Sequence, residues 1–217
     1  MAMIRPFLEA KSINMEGKKI LISIGREFGA GGKLIADEIG KRLGIDVYDN
    51  ELISKAAETS GFSKELFSRS DEKRSIFSMS SFFAPTRFAP SDNYISDNEL
   101  FKMQSAVIKD IAEKGSAIFI GRCSDYILRD MDCLDIFITA PENVRVARVA
   151  EREGISEEEA KSITAKKNRT RQTYYNYFTY GEWGNASNYD LCIDSSILGI
   201  EGTADMIIEF AKKKGMI

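Results

Sequence analysis

The segment Ser23-Ile24-Gly25-Arg26-Glu27-Phe28-Gly29-Ala30-Gly31-Gly32-Lys33 packs four glycines into eight residues and sets two cations beside them. Glycines let successive backbone N–H groups turn toward an anion, and a helix that starts behind them adds partial positive charge. The chemistry this suits is the holding of phosphate, with Lys33 as a point charge for a terminal phosphate and Arg26 as a second cation in the loop. The bland alternative is a strand-to-helix turn whose glycines serve close packing, with Arg26 at the surface paired to Glu27.

Other candidates are scattered along the chain. Arg122 follows Gly121, where a bare backbone admits a ligand closely, and its planar fork suits bidentate phosphate recognition. The alternative is that it caps a carbonyl at a strand end. Arg169 and Arg171 lie in a charged run with Lys166 and Lys167, either lining a site or forming a solvated helix face. Arg145 and Arg148 share a helix face and either line a site or pair with Glu142 and Glu151. Asp49 either orients a base or ribose or caps the next helix. Asp125 reads as structural, capping or bracing Arg129, and the Tyr174–Tyr180 cluster with Trp183 either stacks a base or belongs to core or interface.

Composition removes several chemistries. The 217 residues contain no histidine, so Ser-His-Asp triads, Cys-His pairs and histidine-held metals cannot form within one chain. Cys123, Cys133 and Cys192 are odd in number and sit in apolar runs, which fits buried, reduced thiols in a cytoplasmic protein. With 33 acidic against 30 basic residues, the net charge of -3 argues against a general nucleic-acid binder. No apolar run reaches the ~18 residues of a membrane span. Residues 1–18 read as an N-terminal arm without a secretory signal, and Met15 is an alternative start.

The elements that must position these residues alternate. Strands are expected over Lys19–Ile24, Ile45–Tyr48, Ala117–Ile120, Asp135–Thr139 and Leu191–Ile193, with helices between them. Ile35, Ile39 and Leu43 mark the helix after the glycine loop. Capping boxes at Ser96–Glu99 and Ser156–Glu159 open two more, and the last helix runs from about Ile200 to Lys214. Lys64–Arg74 reads as a further helix. The stretch rich in Ser and Phe from Ser75 to Pro90 reads as a mobile loop or a patch covered by a second subunit, compatible with a homodimer. Strands separated by helices imply a parallel α/β sheet covered on both faces, with ligands at the carboxyl ends of the strands. Residues 19–217 read as one domain, with an insert at 62–95 and a lid region at 155–187.

Four of these runs resemble the bacterial cytidylate-kinase-like proteins: Ile22–Gly32, Val47–Ile53, Ile120–Asp130 and Ser187–Ser195. The resemblance implies a three-layer P-loop nucleoside monophosphate kinase fold with a five-stranded parallel sheet, an acceptor-binding insert and a lid. It implies transfer of the ATP γ-phosphoryl group to a nucleoside monophosphate, CMP or dCMP first. On that reading Lys33, Arg122 and Arg171 are catalytic. Arg26, Gly29, Ala30, Gly31, Gly32, Lys33 and Leu34 hold ATP phosphates, and Asp49, Arg122, Asn168 and Arg169 bind the acceptor. Nucleotides are the partners; nucleic acid and membrane are not expected.

The P-loop pattern is matched imperfectly in either frame. Counting back from Gly32-Lys33, Glu27 stands at the first glycine and Leu34 at the Ser/Thr. Counting back from Gly31, Arg26 stands at the first glycine and Gly32 at the lysine. A third option keeps Gly25 as the opening glycine of a longer loop. Asn168 replaces the acid of an Asp-x-x-Arg lid pattern. Mg²⁺ is expected with ATP, but protein ligands for it are not legible, since Ser23 lies within a strand and no acid follows Gly121-Arg122. A nucleotide sensor with an altered loop, or a kinase for another small acceptor, remains the alternative.

Overall fold

The computed structural model describes residues 19–59 and 97–217. The arm, the helix expected at Lys64–Arg74 and the Ser- and Phe-rich stretch lie outside the described residues.

Isoleucine and leucine crowd the strands because both faces of the sheet are covered. Leu21–Arg26 (β1) pairs in parallel with Ala117–Ile120 (β3) on one side and Cys133–Thr139 (β4) on the other. Val47–Tyr48 (β2) and Leu191–Asp194 (β5) close the edges, giving the order β2-β3-β1-β4-β5, all parallel. The period of two sorts the side chains. Ile20, Ile22 and Ile24 face Ile35 and Ile39 of Gly32–Leu43 (α1) and Ile207 of Ser195–Lys213. Leu21 and Phe119 face the other way. There they meet Ile53 of Asn50–Thr59 (α2), Met103 and Ile108 of Asp97–Lys114 (α3), and Ile127 of the short helix Ser124–Ile127 (α4).

Beyond β4 lie Glu142–Glu153 (α5) and the 23-residue Glu157–Thr179 (α6). Val146, Val149 and Ala160 bury one another at the foot of this pair, so the long helix rises from a fixed base. Ser156 caps it by accepting from Glu159 N, as the capping box requires. The last helix, Ser195–Lys213 (α7), starts earlier than expected, because Asp194 accepts from Ser196 N and opens a turn before Gly199, whose φ of 68° breaks the helical path. The strand boundaries shift by two residues at several ends, β4 starting at Cys133 because that residue registers with Leu21. Among the described residues no helix is long and apolar enough to cross a membrane.

Candidate active site

The carboxyl ends of β1 and β3 and the flank of α6 enclose a cavity of about 500 Å³. Three arginines from three separate elements line it: Arg26 from the end of β1, Arg122 from the end of β3 and Arg171 from α6. Arg171 Nη1 donates to the Arg26 carbonyl at 2.9 Å, which ties the long helix to the glycine loop. Burial, then the charges of Arg171 and Arg122, hold the Arg26 guanidinium well below its ordinary pKa, against a rise from Asp49. Burial and then Arg152 push Arg171 down to about 10. Like charges gathered in a desolvated place destabilise one another unless an anion enters.

The turn that carries Arg122 is unusual. Gly121, Arg122 and Cys123 all have left-handed backbones, with φ of 71°, 57° and 56°. The two side-chain-bearing residues each cost about 1–2 kcal/mol there, and such strain gathers at functional sites. The turn aims Arg122 at the cavity, where its guanidinium lies 5.1 Å from the Tyr174 ring centroid. Burial pushes the adjacent Cys123 thiol up to about 12, so it stays protonated and is no nucleophile.

The glycine loop is compact and anchored. Gly29 and Gly31 have φ of 84° and 81°, and alternatives with a Cβ would meet Arg145 O at 2.6 Å and Ile200 Cδ1 at 2.7 Å. Glu27 does not pair with Arg26, as the bland reading had it. Its carboxylate accepts from Thr139 Oγ1 and faces Arg145 Nε at 3.3 Å, so the end of β4 holds the loop's first turn. Arg145 therefore neither lines the cavity nor pairs with Glu142; it is buried against Glu27 and donates to Ala140 O. Arg148 likewise donates to Ser195 Oγ, which in turn donates to Ala30 O at 2.6 Å. Phe28 N donates to Asn168 Oδ1 at 2.7 Å. The first intrahelical bond of α1 runs from Ile35 N to Gly31 O, so the amides of Gly32, Lys33 and Leu34 precede the helical ladder and are the groups open to an anion.

Among the expected site residues, Arg26, Arg122 and Arg171 come together in the cavity wall, whereas Gly29–Leu34 form the adjoining loop and start of α1 outside its lining. Lys33 is largely exposed and sits 3.2 Å from Asp37 and 3.4 Å from Asp49. Asp49 also accepts from Glu51 N and Leu52 N, the capping arrangement. Asn168 braces the loop, and Arg169 is exposed on the far side of α6.

The helical period explains this sorting. Ile163, Lys166, Lys167, Thr170, Arg171 and Tyr174 recur at three and four and face the cavity, Arg169 lies off that stripe, and Asn168, two turns before the lining Tyr175, is taken up by the Phe28 amide instead. That stripe was available in the sequence as a signal. Tyr175, four residues after Arg171 on the same helix, and Trp183 belong to the aromatic cluster the sequence offered, whereas Asp125 and Tyr189 had no such signal, since distant segments bring them to the cavity's other end. Asp125 does not brace Arg129; it accepts from Tyr175 Oη at 2.6 Å, and burial raises its carboxyl above the ordinary value despite that bond. Arg129 donates to Tyr126 O instead. Cys192, expected to be buried, is exposed on the edge strand.

The residues present do not build a side-chain site for Mg²⁺. Lys33 or Leu34 stands where the pattern requires a hydroxyl, and among the described residues no three Asp, Glu or Cys side chains converge.

A five-stranded parallel sheet of this order, with a glycine loop opening its first helix and a helix-borne arginine over the rim, defines a P-loop phosphotransferase of the nucleoside monophosphate kinase type. Residues 21–197 match the model of the cytidylate kinase-like family, and the chain belongs to that family. It is 27% identical over 190 residues to the cytidylate kinase of Pyrococcus horikoshii, covering 87% of this chain and 86% of that one. The cytidylate kinase of Methanopyrus kandleri is also 27% identical, over 82% of this chain and 85% of its own length. These relatives are archaeal, where the resemblance pointed to bacterial proteins. An uncharacterized protein from Eubacterium ventriosum superposes with a TM-score of 0.69 at 27% identity, over 89% of this chain and 99% of that one. Shikimate kinase from Acinetobacter baumannii shares the fold, with a TM-score of 0.53 at 11% identity over 94% of this chain and 98% of that one. Membership implies nucleotide kinase activity with ATP as phosphoryl donor.

Proposed function

We propose that this protein transfers the γ-phosphoryl group of ATP to a nucleoside monophosphate, with CMP and dCMP the preferred acceptors. The observation that carries the reading is the meeting of Arg26, Arg122 and Arg171 around one cavity at the strand ends. An acceptor phosphate oxygen, already ionised near neutral pH, attacks the γ-phosphorus as the bond to the β-phosphate oxygen breaks, giving ADP and the nucleoside diphosphate. Such chemistry needs alignment and charge neutralisation rather than a protein base, so the lack of histidine is no obstacle.

The loop amides at the start of α1, with Lys33 at its outer edge, hold the donor phosphates. Arg122 holds the acceptor phosphate, and Arg171 closes over the transferring group from the lid helix. The aromatic end of the cavity, with Tyr174, Trp183 and Tyr189, takes the acceptor's base. Asn168 and Arg169 act on the acceptor only through the lid helix they stand on, and Asp49 through α2, whose first amides it caps. A coupled ADP-release assay across CMP, dCMP, UMP and AMP tests the reading. Turnover fastest with CMP or dCMP is expected, and no phosphorylation above blank for any acceptor removes the enzyme assignment.

One observation favours a second reading, a nucleotide sensor: the Lys33 ammonium is engaged with Asp37 and Asp49. Calorimetry showing tight ATP binding with no turnover would select it.

A further inference from the structure

α1 begins at Gly32 behind Gly31 as N-cap. In the P-loop frame that ends on these two residues, glycine occupies the lysine position and Arg26 occupies the first glycine position. The two exchanged residues touch. A Cβ on Gly32 would lie 2.8 Å from both Cβ and Cγ of Arg26, closer than side-chain carbons approach. Farther along the same side chain, a Cβ on Gly121 would lie 2.1 Å from Arg26 Nη1. The arginine therefore runs from the end of β1 across the bare face of Gly32 to the end of β3, where it meets the rim beside Arg122.

Gly32 has no backbone reason to be glycine. It sits in the first turn of a helix and, unlike Gly29, Gly31 and Gly121, has no left-handed φ. What its missing side chain provides is room for Arg26. Lys33, the other loop cation, is directed to Asp37 and Asp49 and does not line the cavity.

We propose that Arg26 is the phosphate-loop cation of this protein, delivering from position 26 the charge that the pattern places at position 32, with Gly32 and Gly121 as positioning residues that keep its path open. This deepens the kinase reading and rests on it. A guanidinium in this place offers two parallel N–H donors to two phosphate oxygens, where an ammonium offers a point charge. The Arg171 bond to the Arg26 carbonyl then couples the lid helix to the residue that grips the donor.

The test compares the wild-type full chain with Arg26→Gly, Gly32→Ala, Lys33→Ala and the double variant Arg26→Gly/Gly32→Lys. ATP affinity is read by calorimetry, kcat and KM by ADP release with CMP, and folding by thermal unfolding. Gly32→Ala should lower the Tm modestly, because the added Cβ meets Arg26 Cβ as well as Cγ and overpacking destabilises. It should also lose at least about 10-fold in kcat/KM for ATP as Arg26 is displaced, a loss that persists at temperatures where the variant is fully folded. Arg26→Gly should lose on the order of 100-fold, the scale of a removed charge-stabilising donor, and more than Lys33→Ala. The double variant, which restores glycine and lysine to their pattern positions, should recover at least about 10-fold over Arg26→Gly.

Gly32→Ala with wild-type ATP affinity and turnover overturns the proposal, as does a double variant no better than Arg26→Gly, or a larger loss from Lys33→Ala. Those results leave the kinase reading standing when the wild type turns over. A wild type that neither binds ATP nor phosphorylates any acceptor overturns the kinase reading and this proposal together.

Discussion

Arg122 and Arg145 separate two jobs that look alike in the sequence. Arg122 stands on a left-handed turn and lines the cavity, so Arg122→Ala should cost about 10²–10³ in kcat/KM while leaving the Tm within a few degrees of wild type. Arg145 is buried against Glu27 and the Ala140 carbonyl, away from the cavity lining. Breaking a buried pair on one side costs about 3 kcal/mol or more, so Arg145→Ala should lower the Tm sharply, through a loop that has lost its anchor. Steady-state kinetics and thermal unfolding on both variants check this. Similar kinetic losses at matched stability would mean that the assignment of roles is wrong. The residue scale is also where sequence reading reached least far, because Arg26, Arg122, Arg145 and Arg148 all stand near glycines or acids, and only folded geometry tells a ligand from a brace.

At the scale of elements, α6 decides what the lid presents. One stripe of it faces the cavity, and the helix is opened by the Ser156 cap and based on Val146, Val149 and Ala160. Within it the Thr164 hydroxyl is buried with no hydrogen-bond partner. A buried unsatisfied hydroxyl costs about 1–3 kcal/mol, and valine has the same shape and nearly the same helix propensity. Thr164→Val should therefore stabilise the protein by about 1 kcal/mol, seen as a raised midpoint in urea at unchanged m-value. A lowered midpoint would show that the hydroxyl has a partner after all. The stripe at 163, 166, 167, 170, 171 and 174 was legible from helical period alone, whereas the Asp-x-x-Arg comparison drew attention to Asn168, which instead accepts a bond from the loop.

For the whole molecule, charge is distributed against its net sign. The chain carries a formal -3, yet the cavity gathers Arg26, Arg122, Arg171, Lys166 and Lys167. Anions that bind only the native state should stabilise it, by about 2.7 kcal/mol at a hundredfold excess over Kd. Phosphate should raise the Tm more than chloride at matched ionic strength, and Arg122→Ala should shrink the difference. Acid behaviour has a second source. Asp135 lies mid-strand beneath the cavity with Oδ1 buried and unpartnered, and burial, then the charge of Asp125, push its carboxyl up to about 7. An unfolded aspartate titrates near 3.9, so between about pH 4 and 7 the native state holds the extra proton. This contribution to stability is present at the acid end and is lost as pH rises through about 7. Asp135→Asn should gain Tm over wild type at pH 8 and about a third as much at pH 5; a gain that is equal at both values would exclude Asp135 as the source.

The alternation of apolar runs with helical stripes carried the parallel α/β architecture and, through the glycine loop, the phosphate chemistry, because both follow from local periodicity and from what glycine permits along a few consecutive residues. The edge strands, the early turn of α7 and the base of α6 followed the same local rules with shifts of a few residues. What the tertiary structure alone decided was which charges meet. Arg26, Arg122 and Arg171 are separated by tens of residues, and the apposition of Arg26 with Gly121 depends on β1 and β3 being neighbours in the sheet. Side-chain convergence of that kind is set by strand order and packing, for which no stretch of sequence holds a local signal.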